Sequence, residues 1–145
     1  MPHLKSKTSN AEDDSIQAVQ FRIARPTTRL NQVVRFYNKG LGLKVLGSFK
    51  GHSGYDGVML GLPGTSHHLE FTQQDGLTSL PAPTKENLLV LYFDSQQKYR
   101  EANEQLRSLD IWPAEPENPY WKGRSETYED PDGWRVVLFN GVYEP

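Results

Sequence analysis

His68 and Glu70 stand two residues apart in a stretch, His67 to Thr72, that reads as a strand, so an imidazole and a carboxylate share one face. Such a pair suits metal ligation, with His52 or His67 approaching from nearby, although two donors from one strand are too few to complete a site. A second pair of carboxylates, Asp130 and Asp132, lies in the turn Glu129-Asp130-Pro131-Asp132-Gly133. There an Asp bonds to neighbouring backbone amides and needs no catalytic reason. Arg22, Arg135, Lys122 and Arg124, with Tyr92, Tyr120 and Trp121, supply cations and aromatic faces of the kind that orient a planar ligand. Nucleophilic chemistry lacks its residues: the chain has no cysteine and no Gly-x-Ser-x-Gly elbow. The glycines from Gly51 to Gly64 lack the Gly-Lys-Ser/Thr ending of a phosphate loop.

These groups need a scaffold, and 145 residues suit one domain with a proper core. A formal charge of -2, with both signs interspersed, gives no positive stripe for a phosphate backbone, so nucleic acid is not an expected partner. No apolar run approaches the roughly 20 residues of a spanning helix, nor does the amino terminus carry the hydrophobic stretch of a secretion signal. A membrane is therefore not an expected partner, and the cytoplasm is the expected location. Without cysteine, any metal must rest on His, Asp, Glu or water.

Residues 1–15 are polar, with no apolar period, and are expected to form a flexible leader to a single domain over 16–145. Val19, Phe21 and Ile23 alternate with mixed residues, the period of a strand that Pro26 ends. Thr27 or Thr28 can cap the next helix, whose Leu30, Val33, Val34 and Tyr37 share a face and which Gly40 stops. Leu43 to Phe49, Tyr55 to Leu62 and His67 to Thr72 read as three strands. After a proline-rich break from Leu80 to Thr84 the order begins again. Leu88 to Phe93 is a strand, Asp94 or Ser95 caps a helix bearing Tyr99, Ala102, Leu106 and Leu109, and short strands follow near Ile111, from Ser125 to Tyr128 and from Trp134 to Phe139. The offset of roughly 70 residues exceeds that of solenoid repeats and points to an internal duplication, with modules at about 16–79 and 85–141. Helices on one face of such sheets leave the other free to curl into a concave site, although periodicity alone also allows a ferredoxin-like sandwich.

Phe36-Tyr37 with Leu41-Gly42, and Asp130-Pro131-Asp132-Gly133 followed by Trp134 to Leu138, resemble the helix-to-strand and closing-strand phrases of the vicinal oxygen chelate superfamily. This is the superfamily of glyoxalases, bleomycin-resistance proteins and extradiol dioxygenases. The resemblance covers about residues 17–140 and implies an α+β fold: two tandem βαβββ modules forming a cup-shaped, half-barrel mixed sheet with helices outside. It also implies a homodimer. Catalytic members hold a divalent metal on side chains from the first and last strands of each module, positions that fall here on Ala18, Glu70, Leu88 and Val137. Only Glu70 can bind a metal, and one carboxylate among aliphatic neighbours cannot offset the dehydration of a divalent cation. In the same scaffold Arg22 faces the cup, so a Glu70 to Arg22 ion pair is the expected role of that carboxylate.

The expected lining of the cup is Gln20, Arg22, His68, Glu70, Thr72, Val90, Tyr92, Arg135 and Phe139, over a floor of Leu88 and Val137. Tyr120 and Trp121 sit on a loop over the mouth, with Lys122 or Arg124 countering an anion. Trp121 has the alternative of plugging the core edge and Arg135 that of a solvated strand residue, while Trp112 and Trp134 are expected to pack. The sequence thus leads to a small-molecule-binding protein of the bleomycin-resistance kind. It would have no resident cofactor, and would contact a small organic ligand through Gln20, Arg22, His68, Glu70, Tyr92, Tyr120, Trp121 and Arg135. One alternative is a metal-dependent lyase, isomerase or ring-cleaving dioxygenase with a divalent ion displaced onto His68 and Glu70. The other is a non-catalytic regulatory or interaction module.

Overall fold

The computed structural model describes residues 15–145, so all of the expected leader except Ser15 lies outside the described residues. The first half runs β1 (Arg22–Pro26), helix α1 (Leu30–Arg35) continued by a π-turn over Phe36–Gly40, then β2 (Val45–His52), β3 (Tyr55–Gly61) and β4 (His68–Gln74). The second runs β5 (Leu88–Phe93), α2 (Gln96–Ser108), a 3₁₀ turn at Pro119–Trp121, β6 (Ser125–Glu129) and β7 (Arg135–Asn140). Among the described residues no helix is long and apolar enough to cross a membrane.

The duplication is written in the pairing. One sheet has the order β1-β4-β3-β2 and the other β5-β7-β6, and in each the first strand lies parallel to the last strand of its half. The strand expected near Ile111 does not form. It is reduced to a single bridge between Ala114 and Thr127, because Pro113 and Pro116 bring no N–H to a ladder. The first strand also begins later than its alternation suggests. Ahead of Arg22, Gln20 and Phe21 still reach the 66–68 segment, and Val19 is left 89% exposed.

One core unites the halves, with Leu30, Val33, Tyr37, Leu60, Leu69 and Phe71 meeting Leu106, Tyr128, Val136 and Leu138. Leu30, Val33 and Tyr37 are buried as their helical spacing requires, and the π-turn lets adjacent Phe36 and Tyr37 both point inward. Gly40 ends this helix, but as a contact residue: a Cβ there would lie 3.0 Å from Leu106 of α2, and the left-handed backbone falls to Gly42 at φ +75°. Neither Thr27 nor Thr28 caps α1: the residue at the N-cap is Arg29, without a side-chain cap, Thr27 accepts from the Arg29 amide in the turn before it, and the Leu30 amide donates to Gln73 Oε1 of β4. Ser95 caps α2 as expected by accepting from the Lys98 amide.

The Asp-Gly corner closes the fold from inside. Asp130 Oδ1 accepts from the amides of Asp132 (2.8 Å) and Trp134 (3.0 Å), the turn role expected of it. Its Oδ2 accepts from the Tyr37 hydroxyl at 2.7 Å, a bond across 93 residues of chain that no local pattern announces. Arg25 stacks over the Trp134 ring at 4.1 Å and Arg29 pairs with Asp132 at 3.4 Å, so the corner is bound to the first half at three points. Trp134 packs as expected; Trp112 does not, standing 61% exposed with its indole N–H on Asp110.

Candidate functional site

Register decides what each sheet shows to the side away from the core. In the first sheet Ile23, Leu69, Phe71 and Leu60 face the core, so Arg22, His68, Glu70, Thr72 and Met59 lie on the opposite, concave face. In the second, Leu89, Leu91, Val136 and Leu138 face the core. That leaves Leu88, Val90, Tyr92, Thr127, Arg135, Val137 and Phe139 on the concave face.

On the first wall Arg22 Nη1 lies 3.2 Å from Glu70 Oε1, the expected ion pair. Arg22 Nε also donates to His68 Nε2 at 3.1 Å, and His68 Nδ1 lies 3.1 Å from the Ser66 carbonyl. These two partners engage both ring nitrogens of His68. Gln20 lies just outside the strand and donates to the Ser66 carbonyl at 2.8 Å. Because Glu70 is 14% exposed and Arg22 47%, the two truncations are unequal. Arg22→Ala, which strands a carboxylate, is expected to cost about 1–2 kcal/mol in urea unfolding, and Glu70→Ala about 0.5–1 kcal/mol.

On the second wall Arg135 is buried at 4% exposure, contrary to its reading as a solvated strand residue. Its Nε and Nη2 both reach Glu129 Oε2 at 2.9 Å, and Nη1 donates to the Glu115 carbonyl at 2.8 Å. Trp121 is half-buried and meets Phe139 edge-on at 6.0 Å, while Tyr120 stands 68% exposed against Trp121. Tyr92 lies 5.5 Å from Phe139 and is 44% exposed. Lys122, expected to counter an anion, is held 2.6 Å from Glu115; Arg124 donates to the Asn140 carbonyl and covers the Phe139 ring.

The site residues therefore fall into two groups. Gln20, Arg22, His68 and Glu70 form one set, Tyr92, Tyr120, Trp121 and Arg135 the other, and among the described residues no hydrogen bond or ion pair joins them. A cavity of about 190 Å³ lies against the second wall alone, between Leu88, Thr127 and Arg135 of the sheet and the Pro116–Trp121 loop. Thr127 was not picked out from the sequence. Its place two residues before Glu129 on β6, facing Val137, was the available signal.

The shifted acids and phenols lie elsewhere. Burial, then Asp130, pushes the Tyr37 phenol well up; burial raises Tyr99 and takes Tyr128 up to about 12. Burial likewise raises the Asp130 carboxyl against the hydrogen bonds it accepts. All four belong to the core or to the corner between the halves.

The positions that the resemblance assigns to metal ligands are poor in donors. Ala18 precedes β1, Leu88 and Val137 are aliphatic, and Glu70 is paired with Arg22, a set that does not fit a divalent ion. Among the described residues no three His, Asp or Glu side chains converge as a metal site would require.

Residues 21–72 match the YycE-like N-terminal domain and residues 86–140 the YycE-like C-terminal domain. Protein YycE of Bacillus subtilis strain 168 is 48% identical over 126 residues, 87% of this chain and 91% of that one. The crystal structure of a YycE protein of unknown function from Bacillus subtilis, a glyoxalase/fosfomycin resistance candidate, superposes with a TM-score of 0.84. It shows 46% identity over 90% of this chain and 96% of that one. Two structures share the fold at lower identity. The trypanothione-dependent glyoxalase I of Leishmania major has 23% identity and a TM-score of 0.65, with 87% of each chain covered. An antibiotic binding protein from Streptomyces sp. CB03234 has 21% and 0.61, covering 88% of this chain and 98% of that one.

Proposed function

This chain belongs to the YycE-like family, with the fold of the vicinal oxygen chelate superfamily, and from that premise we propose that it binds a small organic molecule in its cup without a resident metal. The observation that carries the reading is the donor set. Of the four positions where the superfamily holds its ion, Glu70 alone has a ligand atom, and Arg22 occupies it. Fold does not decide the matter, since the same scaffold serves a glyoxalase in one neighbour and antibiotic binding in another.

The working form in this proposal is a homodimer. Ile16, Val19, Phe21 and Tyr92 expose 86%, 89%, 52% and 44% of their surface. A second copy covering them would set the first wall of one chain against the second wall of the other, completing each cup. Such burial would stabilise both copies, at about 25 cal/mol for each Å² of apolar surface covered.

The deciding measurement is metal content in protein purified without chelators, together with thermal unfolding in the presence and absence of EDTA. The expected result is substoichiometric metal and an unchanged Tm. A tightly held stoichiometric ion, with a Tm that falls on chelation, would overturn the proposal. Solution mass gives the second check, a dimer being expected.

A further inference from the structure

We infer that the second wall of the cup is built for an uncharged, planar ligand that hydrogen-bonds to Thr127 and lies against Trp121; this rests on the small-molecule reading above.

Charge is the first consideration. Both guanidinium edges of Arg135 are spoken for, by Glu129 and by the Glu115 carbonyl, and Lys122 is bound to Glu115. On the facing type of wall Arg22 is bound to Glu70. Lys85 shares the cavity lining with Glu86 and Glu117, all three exposed at the rim. An anionic ligand would have to displace a carboxylate from Arg135, Lys122 or Arg22, or turn to Lys85, an exposed rim cation whose attraction water and salt screen. A cationic one would meet only the screened acids of the rim.

The second consideration is an orphaned polar atom. Thr127 is 2% exposed and its Oγ1 has no protein partner, although its backbone carbonyl accepts from Ala114 at 2.7 Å and ties that segment to the edge of the sheet. Buried hydroxyls are normally paired; Thr127 is one of the residues lining the cavity, on the same face as Arg135 and Val137, and its Oγ1 is closed off from the cavity in the rotamer present. A ligand carbonyl or hydroxyl would satisfy it after a turn about χ1.

Size and surface complete the description. A cavity of roughly 150 Å³ takes a benzene molecule, so about 190 Å³ takes one ring with a small substituent. Leu88 and Trp121 supply the apolar contact that such a ring needs.

The test titrates three probes of one shape, benzamide, benzoate and benzylammonium, into wild-type protein and into Thr127→Val and Thr127→Ser by calorimetry. Benzamide is expected to bind roughly tenfold tighter than either charged probe. Thr127→Val should weaken it by about 5–10-fold, and Thr127→Ser, which keeps the hydroxyl, by no more than about twofold. The Tm of Thr127→Val should equal or exceed that of the wild type, because the group removed has no protein partner. A charged probe binding as well as benzamide, or unchanged benzamide affinity in Thr127→Val, overturns the uncharged-ligand assignment and leaves small-molecule binding standing. Failure of all three probes to saturate the wild-type protein overturns the single-ring assignment to this cavity, while small-molecule binding itself stands or falls on the metal and Tm measurements above.

Discussion

Asp130→Ala is expected to lower the unfolding free energy by about 3 kcal/mol and the Tm by roughly 10 °C, measured by urea and thermal denaturation. The carboxylate is 5% exposed and holds three donors: the Tyr37 hydroxyl and the amides of Asp132 and Trp134. Alanine leaves all three without that acceptor, and the Tyr37 hydroxyl is in the fully buried core. Tyr37→Phe should cost less, about 1–2 kcal/mol, since Asp130 keeps both amides and loses one partner. Asp130→Asn should cost least at neutral pH, because one oxygen can still accept the two amides.

The same residue makes a signed pH prediction. Burial holds the folded-state pKa of Asp130 above its ordinary 3.8, so the folded chain binds this proton more tightly than the unfolded chain does. Its contribution to stability is therefore fully present below the unfolded pKa and is lost as pH rises through the folded value. Between about pH 3 and pH 7 the stability difference between wild type and Asp130→Asn should move steadily in favour of the asparagine variant. A difference that moves the other way would show that the hydrogen bonds outweigh burial at this carboxylate.

The second large effect is expected on the concave face. Glu129→Ala removes the carboxylate partner of a guanidinium that is 4% exposed, and should cost about 2–3 kcal/mol. The value lies below the roughly 3–5 kcal/mol of a fully buried pair, since Glu129 is 41% exposed and the Glu115 carbonyl still accepts from Arg135. Combining Glu129→Ala with Arg135→Met removes the stranded charge and should recover most of the loss, a coupling that a double-mutant cycle reads directly. Full additivity of the two changes would mean that the pair is not a unit. The result bears on function as well, because the proposed ligand class depends on Arg135 being neutralised within the wall.

Much of this architecture was written in local signals. Leu30, Val33 and Tyr37 fall on one helical turn pattern, Ser95 stands where a cap is needed, and the corner at Asp130 to Gly133 carries its own turn chemistry. The family resemblance, together with strand alternation, led to the Arg22–Glu70 ion pair that the structure contains. Two expectations failed for a common reason. Val19 has the strand period without a ladder partner, and Ile111 lies where Pro113 and Pro116 interrupt pairing, so period alone overstated both strands.

What the sequence by itself determined is the repeated strand-helix-strand order and the corner that closes it, both of which depend on neighbours within a few residues. What only the tertiary structure decided is which charges are spent on each other: Tyr37 with Asp130, Arg135 with Glu129 and Glu115, Lys122 with Glu115, and Thr127 left unpaired beside a cavity. The Tyr37 to Asp130 bond spans 93 residues, and the cavity beside Thr127 is bounded by the separate Pro116–Trp121 loop. Periodicity reports the face on which a side chain lies, whereas its partner is set by how two distant segments are brought together, and that distance in sequence leaves no repeating mark.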